Sequence, residues 1–101
     1  MGKVYTVVLE KLDEKLDELR REREQLVRRP AGVERSTRMA ELFEAEAAAW
    51  SSVYEHCRTR IYWRAVLGAR EYAIAAATTW RRRAANDEAW GLGNAEQGVA
   101  A

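Results

Sequence analysis

One apolar stripe constrains this chain more than any other feature. Met39, Phe43, Ala47, Trp50, Tyr54, Cys57, Ile61, Ala65, Gly68, Tyr72, Ala76 and Thr79 succeed one another at steps of three or four residues. Met39, Trp50, Ile61 and Tyr72 recur every eleven, a period of about 3.67 residues per turn and hence of a nearly straight helix. No proline interrupts the stripe, and Gly68 is its only glycine. The pattern predicts one long amphipathic helix over 36–85, with Gly68 as its one weak point.

The segment before it carries a second helical pattern. Tyr5, Leu9, Leu12, Leu16, Leu19, Arg23 and Leu26 alternate four and three residues apart, the a/d spacing of a heptad with one arginine in an a-type slot. The β-branched and aromatic run at 4–9 would favour a strand in isolation, but the longer periodicity overrides it. Acidic residues gather at 10–18 and basic ones at 20–29, the polarity a helix dipole favours. A first helix is therefore predicted over 4–29. Pro30 disfavours helical geometry at Arg29, Gly32 supplies a corner, and Ser36 or Thr37 can cap the second helix.

Two striped helices joined by a short turn at 30–35 predict an all-α antiparallel hairpin with coiled-coil-like packing. The lengths are unequal. At 1.5 Å per residue the first helix spans about 38 Å and the second about 75 Å, so the first covers the second only as far as about Arg60. Ile61, Ala65, Leu67, Gly68, Ala69, Tyr72, Ala73 and Ala76 remain as an apolar face beyond it, and Ala65, Ala69, Ala73 and Ala77 form a ridge of small residues four apart. Leaving each large apolar side chain wet forgoes about 1.5–3 kcal/mol. Either the chain breaks near Gly68 and folds back, or a second chain covers the face. Gly68-Ala69 is a poor loop, so the sequence favours a second copy and an oligomeric helical bundle. Residues 1–85 would form the hairpin domain and 86–101, rich in glycine and alanine, a flexible tail.

Little in the chain suggests catalysis. His56 is the only histidine and Cys57 the only cysteine; as helix neighbours they point about 100° apart and cannot act as a nucleophile–base pair. A single cysteine allows neither an intrachain disulfide nor a thiolate zinc site. The Glu-x-x-His motif of helical di-iron centres fails because Val53 precedes His56 by three. Glu46 lies beside the stripe and, opposite Arg23 of the first helix, reads as a buried ion pair that fixes register. No enzyme activity, metal or cofactor is expected.

Charge supplies the competing reading. The chain is nearly neutral at +1, but 34–56 carries a net −3 and 58–83 a net +6. Arg58, Arg60, Arg64, Arg81, Arg82 and Arg83, interleaved with Tyr62, Trp63 and Trp80, could contact nucleic acid nonspecifically. No reader motif accompanies them. Arginine far outnumbers lysine, a bias that fits a GC-rich genome such as that of an actinobacterium or its phage. There is no apolar run of the ~20 residues a bilayer span needs, which points to a cytoplasmic protein without a membrane partner. The match of Met1-Gly2-Lys3-Val4-Tyr5-Thr6 to an N-myristoylation pattern is too short to alter that reading. The sequence thus predicts a non-enzymatic interaction or assembly module, partnering itself and an unidentified protein, with nucleic-acid binding through 58–83 as the alternative.

Overall fold

The computed structural model describes residues 2–56 and 60–100, and side chains over 7–56 and 62–91. Three helices succeed one another: α1 (Gly2–Leu26), α2 (Val33–His56) and α3 (Arg60–Ala100), with no strand among the described residues. The all-helical class matches the sequence reading. The course of the second predicted helix does not.

The stripe over 36–85 predicts one continuous rod, yet α2 ends at His56 and α3 begins at Arg60. α3 folds back along α2 in antiparallel sense. Ser36 pairs with Asp87 at one end of this hairpin, Glu44 with Arg81 further along, and Tyr54 with Trp63 at the other end, ring centroids 5.9 Å apart. The break thus falls before Gly68, which lies within α3. No glycine or proline in the sequence between the two helices announces it. The cause is tertiary: α3 carries a second apolar stripe, offset by about one residue from the one that continues α2. Val66, Ala73, Ala77 and Ala84 are its buried members, with Trp80 packed against the core. Facing them, α2 buries Met39, Ala40, Leu42, Phe43 and Ala49. The small side chains on both helices permit close approach of the backbones, so folding back buries apolar area that a lone rod would leave wet.

α1 forms the expected turn with α2 but ends earlier than predicted. After Leu26 the last turn tightens, with Arg28 N–H donating to Gln25 O and Arg29 N–H to Leu26 O, and Arg35 Nη1 donates to the Arg29 carbonyl at 3.2 Å. These bonds occupy carbonyls left orphaned at a helix C-terminus. α2 begins at Val33, three residues before the predicted cap, and its first turn closes by Ser36 N–H to Gly32 O at 3.0 Å. Ser36 is therefore inside the first turn rather than at its cap. Its side chain, 1% exposed, meets the Asp87 carboxylate of α3 instead. Asp87→Ala leaves that buried hydroxyl unpaired and is expected to cost about 1–3 kcal/mol in urea unfolding.

Leu19 and Leu26 of α1 join Met39, Leu42, Phe43 and Ala77 in the core cluster. Leu9, Leu12 and Leu16, further from the turn, are only half-buried. The backbone of α1 lies against α2 and not against α3 among the described residues, although Leu19 and Leu26 reach the cluster that includes Ala77. α3 also runs on to Ala100, where the sequence suggests a tail from 86. Asn86, Asp87 and Glu88 stay helical, with Asp87 held by Ser36. The result is elongated, 64 × 20 × 14 Å, with a radius of gyration of 17.5 Å. A compact chain of this length would have about 13 Å.

Candidate interaction surface

Among the described residues, no group of three or more His, Cys, Asp and Glu is placed to hold a metal, and no helix is long and apolar enough to cross a membrane. The chemistry on offer is that of two helix faces and a few charge pairs.

The predicted interface residues separate into two sets. Ala73 is completely buried against α2, and Ala76 packs on the core cluster. Both belong to the intrachain fold, and Ala73 cannot be a docking residue as the sequence suggests. Leu67 and Ala69 are half-buried. Ala65, Gly68 and Tyr72 lie on the outer face, with Tyr72 68% exposed. The Ile61 side chain lies outside the described residues. The Tyr72 ring meets Phe43 edge-on, with 6.3 Å between centroids, while most of its surface stays open. The stripe that continues from α2 is thus the one left uncovered, because the neighbouring stripe faces α2.

The described arginines do not form one continuous surface. Arg81 pairs with Glu44 on one flank of α3, and this hydrogen bond raises the Arg81 pKa above its ordinary value. Arg83, two residues on and so about 200° around the helix, stacks its guanidinium on Trp80 at 4.6 Å. Arg64 and Arg82 point to solvent about 27 Å apart along the axis. The Arg60 side chain and all of Arg58 lie outside the described residues, as does Cys57. His56 ends α2, with Nδ1 donating to the Ser52 carbonyl at 2.7 Å.

The pair anticipated between Arg23 and Glu46 is present. Their side chains are 18% and 15% exposed, and the Arg23 guanidinium also lies 4.5 Å from the Phe43 ring centroid. Arg38 bridges α1 and α2 more superficially, 2.7 Å from Glu22, a hydrogen bond that raises the Arg38 pKa. An open recess of about 630 Å³ borders the α1–α2 turn, lined by Leu26, Pro30, Val33, Arg35 and Arg38 among others. There Arg35 serves the end of α1, and Arg38 is already paired with Glu22 and Glu41.

Comparison with protein-family models, with curated proteins and with solved structures finds no match to this chain.

Proposed function

We propose that the protein is a non-enzymatic interaction module that self-associates through the outer face of α3. One observation carries the reading. α3 bears two apolar stripes; α2 covers Val66, Ala73, Ala77 and Ala84, whereas Ala65, Gly68 and Tyr72 remain open. A helix that is apolar on two sides is suited to a bundle larger than its own hairpin. The dispersal and internal pairing of the arginines favour this reading over nucleic-acid binding, which depends on a continuous basic track.

Absolute mass measured by light scattering over a concentration series tests it. The native chain is expected to give a dimer or larger species. Ala65→Glu with Tyr72→Glu is expected to give a folded monomer of 11.6 kDa, since both positions are exposed within one chain. A native chain that stays monomeric at high concentration refutes the proposal.

A further inference from the structure

We infer that the contact is two-fold and antiparallel: α3 of a second copy crosses this α3 at Gly68, placing Arg64 of each copy opposite Glu71 of the other. This geometry rests on the self-association proposed above and specifies it.

Gly68 is the natural crossing point. A Cβ built there meets nothing within 4 Å, so packing within one chain gives no reason for a glycine in the middle of a long helix. Against a second helix the same absence of bulk lets the backbones approach closely. Ala65 extends the small surface by one turn on one side, and Tyr72 supplies aromatic area on the other.

Charge selects both occupant and direction. Arg64 and Glu71 are seven residues apart and therefore share one edge of the outer stripe. Both are exposed, and neither has an ion-pair partner among the described residues. In an antiparallel two-fold pair, equivalent edges face each other. Opposite signs at 64 and 71 then produce two reciprocal ion pairs centred near Gly68. The opposite edge carries Tyr62, Ala69 and Ala76, with no charge to oppose. A parallel pair would set Arg64 and Glu71 against that uncharged edge and leave both charges unused.

Charge inversion in the full chain tests the geometry, read by sedimentation equilibrium with circular dichroism to verify folding. Arg64→Glu places two acids on each copy's edge, and Glu71→Arg places two bases there. Each variant alone is expected to dimerise on the order of tenfold or more weakly. Mixed in equal amounts they are expected to recover a mixed dimer, because every pair is then complementary. Gly68→Leu is expected to abolish dimerisation while leaving helicity intact. A native dimer that ignores both inversions, or a mixture no tighter than its components, overturns the antiparallel geometry and leaves self-association standing. A native chain that never dimerises overturns both.

Discussion

Phe43→Ala is expected to lower the unfolding free energy by about 3–5 kcal/mol, as removal of a buried phenylalanine side chain typically does. Phe43 is 6% exposed and joins all three helices. It shares one cluster with Met39 and Leu42 of α2, Leu19 and Leu26 of α1 and Ala77 of α3, with Trp80 packed against that cluster, and its ring meets Tyr72 in a T-shaped contact. It is also the ring beneath the Arg23 guanidinium. The cavity left by its truncation would lie where the elongated fold concentrates its core. A domain of this size loses roughly 4–8 °C in Tm per kcal/mol, so a fall of more than about 12 °C is expected. Thermal and urea unfolding of the variant provide the check. A loss below about 1 kcal/mol would mean that α1, α2 and α3 do not share one cooperative core. Tyr72→Ala is the contrast: with most of the ring already exposed in one chain, its effect should fall on assembly.

How much of this was legible in the sequence depended on which residues carried the information. Leucines at heptad spacing and Pro30-Ala31-Gly32 were enough to place α1 and its turn to within a few residues. The Arg23–Glu46 pair could be anticipated because both residues interrupt or border an apolar seam, where a charge needs a partner. The fold-back of α3 on α2 was not legible. Trp50, Tyr54, Cys57, Ile61 and Ala65 follow at steps of three or four without interruption, so local pattern supports a straight helix. What decided otherwise was the match between two stripes of small residues far apart in the chain, Ala40 and Ala49 on α2 against Ala73, Ala77 and Ala84 on α3. Alanine contributes weakly to any hydrophobic pattern, so a stripe built from it is easily outranked by one containing Tyr72. The end of α3 was missed for a related reason. Asn86 and Asp87 read as a stop signal, but the carboxylate of Asp87 is taken up by Ser36, fifty-one residues earlier.

The position of α1 reflects the same distribution of bulk. Its most deeply buried side chains lie near the turn, where Leu19 and Leu26 join Met39, Leu42 and Phe43 in the core. Toward the other end, Trp50 and Val53 are half-buried along with Leu9, Leu12 and Leu16. Without backbone contact to α3, the approach of α1 is set by α2 and by polar contacts along that one seam.

The Arg23–Glu46 pair governs that seam, and its variants should behave unequally. Arg23→Met alone leaves the Glu46 carboxylate mostly enclosed without its cation. Loss of one partner of a fully buried pair costs about 3–5 kcal/mol; with 18% and 15% of these side chains still exposed, a discounted loss of about 2–3 kcal/mol is expected. Glu46→Leu alone should cost less, because Arg23 retains the face of Phe43 as a partner. Replacing both, as Arg23→Met with Glu46→Leu, should recover most of the loss or exceed the native stability, since two desolvated charges are exchanged for apolar contact. A double-mutant cycle in urea measures the coupling. The ion pair's contribution would then lie in register rather than stability: apolar groups at 23 and 46 do not dictate a single alignment of α1 on α2. The Glu22–Arg38 bridge reports that alignment. In the native chain Arg38→Ala should cost no more than about 1 kcal/mol, as for an exposed pair, and in the double variant its cost should shrink if α1 has slipped. Equal cost in both backgrounds would show that leucine packing alone sets the register.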